Sequence, residues 1–127
     1  MNYSVCSLRQ AISSGSLTSE ALVEACLERI ERLNPTINAF SQVYAEDALK
    51  EARACDREAS QGRWRGPLHG IPMAVKDLFY TAGRLCQRGS NAYRDFVPQA
   101  TAPIVERMLA AGAIMIGKTT TTELGWS

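Results

Sequence analysis

Apolar residues recur at helical spacing through the first half of the chain and at strand spacing in two later segments. Over residues 4–13, Val5, Leu8 and Ile12 share one helical face before Ser14 and Gly15, which predicts a short first helix. A second helix is expected from Thr18, whose hydroxyl is placed to cap it. Glu20 favours the positive end of that helix, and Leu22, Cys26, Ile30 and Leu33 form one stripe. Asn34 and Pro35 are expected to end it. "INAFSQVY" then alternates as a strand, with Ile37, Ala39 and Val43 as its inward members. "AEDALKEARACDREASQG" returns to helix. Its stripe of Ala45, Ala48, Ala52, Cys55 and Ala59 with Leu49 permits close packing, and Gly62 closes it.

Gly62, Gly66, Pro67, Gly70 and Pro72 fall within eleven residues, so a connection carries the chain into "IPMAVKD", a short strand over 71–75. An irregular stretch of roughly twenty residues follows, a length that compact domains seldom leave without regular structure unless it serves a site. Thr101 is placed to cap a last helix over 102–111, with Pro103 in its first turn, Ile104, Val105, Met108 and Leu109 facing one way, and Gly112 breaking it. "AIMIG" reads as a buried strand over 113–116. Strand, helix and strand make a βαβ unit with parallel strands and a right-handed crossover. The expected fold class is therefore α/β, with N-terminal helices packed on the start of a mixed, partly parallel sheet.

Composition narrows the function. Apolar residues at 46% and charged residues at 21% are globular proportions. Fourteen basic against thirteen acidic side chains leave +1, too weak a field to imply nucleic acid or an anionic membrane as partner. No apolar run approaches the ~20 residues that span a bilayer, and the first residues show no signal peptide. Cys6, Cys26, Cys55 and Cys86 lie 20, 29 and 31 residues apart, unlike closely spaced zinc ligands. Reduced thiols and a cytoplasmic location are expected, with no metal and no cofactor.

Lys76 raises the question of chemistry, because it ends an otherwise apolar strand between glycine-rich connections. Such a lysine reaches solvent while its stem covers apolar surface, or it sits enclosed, loses hydration and becomes a proton acceptor. "MAVKD" is similar to the strand carrying the ATP-binding lysine of kinases. The required G-x-G-x-x-G-x-V is absent, however: glycines fall at 62, 66 and 70, among Pro67 and Pro72. Cys86, with Arg84 and Arg88 nearby, could be imagined as a nucleophile beside Lys76 in the manner of nitrilases. His69, the sole histidine, reads as a turn or core-edge residue. Trp64, between Arg63 and Arg65, reads as a loop anchor. Thr119, Thr120, Thr121 and Thr122 are placed to cap a helix containing Glu123.

"GPLHGIPMAVKDLFYTAG", "GSNAY" and "ATAPIVERMLAAGAIMIGKTTTTEL", preceded by "LTSEALVEACLERIERLNPTINAF", together resemble the N-terminal third or so of the amidase signature family. "HGIPMAVKD" is the most specific piece, and Thr120 departs from the asparagine frequent at its position. The resemblance implies a C–N hydrolase or amidotransferase acting on a small carboxamide. In that family the lysine at the position of Lys76 is catalytic: it works through a serine in a cis peptide that activates a second, nucleophilic serine. Asp77 would support the loop. Both serines lie downstream of the matched region in the family. The expectation is thus one incomplete domain over 1–127, with a mainly helical lead-in over 1–62 and the beginning of the α/β core over 63–127. The isolated chain would be inactive and prone to self-association through an exposed sheet edge. The competing expectation is a non-catalytic binding or assembly module that keeps only the start of the fold.

Overall fold

In the computed structural model, which describes residues 3–126, Ser4 opens helix α1 (Val5–Ser13) by accepting the Ser7 amide on its hydroxyl. Helix α2 (Ser19–Ile37) starts at Thr18, whose hydroxyl accepts from Ala21 N. Two more of its free amides are taken from across the fold. Asp56 Oδ1 accepts from Ser19 N at 2.7 Å and Oδ2 from Glu20 N at 3.0 Å, so a carboxylate of the next helix caps this one.

The end of α2 differs from the expectation. Pro35 lies inside the helix, which continues to Ile37 and stops where Asn38 takes a left-handed conformation at φ 48°. A proline in the last turn removes one helical donor, and asparagine tolerates the left-handed cap better than most side chains. Ile37, expected inside a strand, is therefore helical and 62% exposed.

Strand β1 (Phe40–Val43) begins three residues later than the alternation suggested and in the opposite phase. Phe40 and Gln42 are half-buried, whereas Val43 is 41% exposed. Burying the Phe40 ring yields more than burying valine, and Asn34 locks this choice by bonding Phe40 through both its amide nitrogen and oxygen.

Helix α3 (Ala45–Ser60) follows the small-residue stripe: Ala48, Ala52 and Cys55 are buried. They pack with Val23, Ile114 and Ile116 into the core, flanked by Cys26, Leu27, Ile30, Phe40 and Leu49. Val23 rather than Leu22 thus centres the α2 face.

Strand β2 (Pro72–Lys76), helix α4 (Pro103–Ala110) and strand β3 (Ile114–Thr119) form the βαβ unit, and β2 runs parallel to β3. Thr101 does not cap α4; its hydroxyl accepts from Ala82 N instead. Of the expected α4 face, Val105 is buried while Ile104 and Leu109 remain exposed. The sheet order is β1-β3-β2, with β1 antiparallel to β3. Gly117 lets β1 lie close, since a Cβ there would stand 2.3 Å from Gln42 O. No helix among the described residues is long and apolar enough to cross a membrane.

Candidate active site

The carboxyl ends of β2 and β3 point the same way, and in parallel α/β sheets this end is where loops gather into sites. Lys76 is the last residue of β2 and pairs with Thr119, while Val75 pairs with Lys118. Side chains alternate along a strand. Lys76 therefore shares the open side of the sheet with Ala74, and both are exposed. The chain turns sharply after it: Leu78 N and Phe79 N both donate to Lys76 O, at 2.7 and 3.0 Å. Among the described residues no hydroxyl hydrogen-bonds the Lys76 amine.

Asp77 points the other way. It is 2% exposed. Its Oδ2 accepts from Gln87 N at 3.1 Å, and its Oδ1 faces Lys118 Nζ at 3.7 Å. Lys118, which sequence reasoning missed, is completely buried and donates to Phe79 O at 2.5 Å. A signal was present: Lys118 closely follows the apolar Ile114–Ile116 run in a strand read as buried, and it pairs with buried Val75, where an ammonium requires a partner.

Cys86 lies against the same turn, with Sγ 3.9 Å from Phe79 O. Burial pushes its thiol up, a stronger effect than the lowering by Lys118, and Asp77 raises it further. A buried, protonated thiol does not serve as a nucleophile, so the structure gives no support to the nitrilase-like arrangement. Desolvation also lifts Tyr44 to about 12, against the opposing pull of Arg84.

A polar cleft of about 230 Å³ opens beyond the strand ends, lined by Asp77, Gln87, Asn91, Arg94, Thr120 and Thr121 among others. Its wall is the irregular stretch, which is ordered by its own contacts. Arg88 takes φ 54° and stacks over Tyr93, 4.8 Å from the ring centroid. Gly89 follows at φ 67°, and a Cβ there would meet Thr121 O at 2.7 Å, so only glycine permits this loop to touch the chain leaving β3. Ser90 Oγ donates to Glu123 Oε1 at 2.8 Å, and Leu124 N to Arg88 O at 2.8 Å. The threonine run behaves differently from a capping segment: Thr122 precedes a single 3₁₀ turn without a side-chain cap, and Thr120 Oγ1 donates back to Asn38 O at 3.2 Å.

The remaining sequence candidates fall elsewhere. His69 is fully buried, with Nδ1 accepting from Arg65 N at 3.1 Å and Nε2 bonded to Cys55 O at 3.0 Å, which is a structural role. Trp64 stacks edge-on against it at 4.9 Å and carries the Arg9 guanidinium over its ring, 5.6 Å from the centroid. A larger open groove of about 760 Å³ along α2 and α3 carries Glu24, Glu28 and Glu31 beside Leu27 and Leu49. It holds no amine or thiol nucleophile, so the strand ends remain the better site.

The chain is similar to known proteins. The sequence profile of the Amidase family matches residues 21–127. AmiD, a Mycobacterium tuberculosis protein that carries an amidase name, is 44% identical over 112 residues, covering 88% of this chain and 24% of that protein. A glutamyl-tRNA(Gln) amidotransferase polypeptide of Chloroflexus aurantiacus is 43% identical over 114 residues, covering 90% of this chain and 23% of that protein. The native peptide amidase of Stenotrophomonas maltophilia superposes with a TM-score of 0.88 at 40% identity, over 96% of this chain and 25% of that one. The chain thus spans about a quarter of the length of these relatives. On a profile match over residues 21–127 and a shared fold, this chain belongs to the amidase family.

Proposed function

We propose that the chain supplies the lysine of a serine–lysine amide-cleaving site, with Lys76 as proton acceptor and a small carboxamide as substrate. The observation that carries this reading is the placement of Lys76: it closes a parallel strand at the carboxyl end of the sheet, within the segment shared with amidases. In the proposed reaction the neutral Lys76 amine takes a proton, through one serine hydroxyl, from a second serine. That second oxygen attacks the amide carbonyl. The tetrahedral intermediate collapses as the leaving amine takes the proton back, and the acyl-enzyme is then cleaved by water or by another amine.

Both serines, and the groups that stabilise the oxyanion, are assigned to residues outside these 127. Of the two expectations for Lys76, the structure shows the exposed one, so the enclosure that the proposed role needs is likewise assigned to residues outside these 127. We place residues 1–127 in one domain, a reading supported by β1, from the first half, pairing with β3. Four free thiols suit a reducing, cytoplasmic setting.

A second reading has a specific observation behind it. Because no hydroxyl hydrogen-bonds the Lys76 amine among the described residues, the chain could serve as an assembly module without chemistry.

A hybrid enzyme separates the two: the part of this chain that superposes on the S. maltophilia peptide amidase, 96% of it, replaces the matched quarter of that enzyme. Hydrolysis of a peptide amide by the hybrid supports the enzymatic reading. A folded hybrid without turnover supports the module. The 127-residue chain alone is expected to turn over no amide.

A further inference from the structure

Lys118 takes no part in the chemistry above, yet it is the bulkiest fully buried side chain among the described residues. Taking an ammonium out of water is costly unless it is paired and hydrogen-bonded, so its partners indicate what the burial serves. One is Phe79 O at 2.5 Å. The other is Asp77 Oδ1 at 3.7 Å, an oxygen with no hydrogen bond of its own. Both belong to the turn that begins directly after Lys76. The backbone ties the same turn from the sheet side, where Asp77 N donates to Thr119 O at 2.9 Å. Lys118 thus reaches from the central strand to the exit of an edge strand.

Register gives this contact a purpose. β2 is five residues long, and its pairing with β3 shifts between Met73 and Ala74. A one-residue slip in a strand sends every side chain to the other face, and this pairing already accommodates one shift, with two steps of β3 (Met115 to Gly117) set against one step of β2. Such a slip would move Lys76 off the open face and would separate Asp77 from the buried ammonium. An unpaired buried charge is the stronger penalty of the two, so the ion pair adds to buried Val75 in holding the observed register.

We propose that Lys118, through Asp77 and Phe79 O, is a positioning residue that fixes the register of β2 and thereby the place where Lys76 leaves the sheet. The relevance to catalysis rests on Lys76 as proton acceptor, whereas the register claim does not.

The chain has three lysines, Lys50, Lys76 and Lys118, so reductive ¹³C-methylation followed by NMR reads them individually. Lys50 and Lys76 are expected to be methylated in the folded chain and Lys118 to be protected. Methylation of Lys118 as fast as Lys50 would overturn the proposal. In Lys118→Met, the amides of Asp77, Leu78 and Phe79 are expected to exchange about tenfold faster or more, with α3 amides unchanged. The Lys76 methyl signal should move and broaden while that of Lys50 stays. Because Lys118→Met leaves Asp77 charged and buried and could unfold the chain, the neutral pair Asp77→Asn/Lys118→Met is measured alongside, with the same local result expected. A uniform rise across all amides, or no change at the turn, would contradict the positioning role.

In the hybrid enzyme, Lys118→Met is expected to lower kcat about tenfold or more with KM within about twofold. If the hybrid itself is inactive while the exchange result holds, the catalytic reading of Lys76 falls and the register role of Lys118 stands.

Discussion

Cys55 and Cys86 are fully buried, and burial pushes both thiols above their ordinary range; half-buried Cys26 is raised for the same reason. The pH consequence has a definite sign. Below about pH 8.5, the usual thiol value, folded and unfolded chains both hold these protons. Above it the unfolded chain releases protons that the folded chain keeps, so stability is expected to fall as pH rises past that point. Denaturant titrations at pH 7 and pH 10 measure this, and equal midpoints would contradict it. Alkylation at pH 7.5 with mass spectrometry should modify exposed Cys6 first and reach Cys55 and Cys86 only on unfolding. Early modification of Cys86 would restore it as a candidate nucleophile.

At the scale of elements, Gly117 is where the sheet is most tightly fitted. A methyl at that position would stand 2.3 Å from Gln42 O and 3.1 Å from the Phe40 ring. Gly117→Ala is therefore expected to cost about 2–3 kcal/mol and to speed exchange of the Tyr44 and Thr120 amides, which bond Ile116 O and Ala39 O. Unchanged exchange at both would show that β1 tolerates the displacement.

The sequence showed the helices and the βαβ unit because their signals are local: the Val5, Leu8 and Ile12 face of α1, the cap at Thr18, small residues through α3, and Pro103 opening α4. It misplaced the end of α2 and the phase of β1, since both depend on contacts across the fold. Asn34 holding Phe40 and the left-handed Asn38 are visible only in three dimensions. Lys76 was singled out through its motif, and its role is the proposal that the hybrid enzyme tests. Lys118 was hidden because a lysine reads as polar and exposed until the strand phase is known.

For the whole molecule, the sheet order β1-β3-β2 leaves two edge strands, and Phe79, Ile104, Leu109 and Trp126 are exposed. Unpaired edges and apolar side chains in water favour association. Sedimentation of the purified chain is expected to show self-association, and a stable compact monomer would contradict that expectation.

Lys76 itself is tested most directly by the rate of peptide-amide hydrolysis in the hybrid enzyme, compared with the same hybrid carrying Lys76→Ala. A proton acceptor acting through a nucleophilic serine predicts a loss of about a thousandfold in kcat with the fold intact. Full activity after the substitution would contradict the assignment of Lys76 and leave the chain a structural part of the amidase fold.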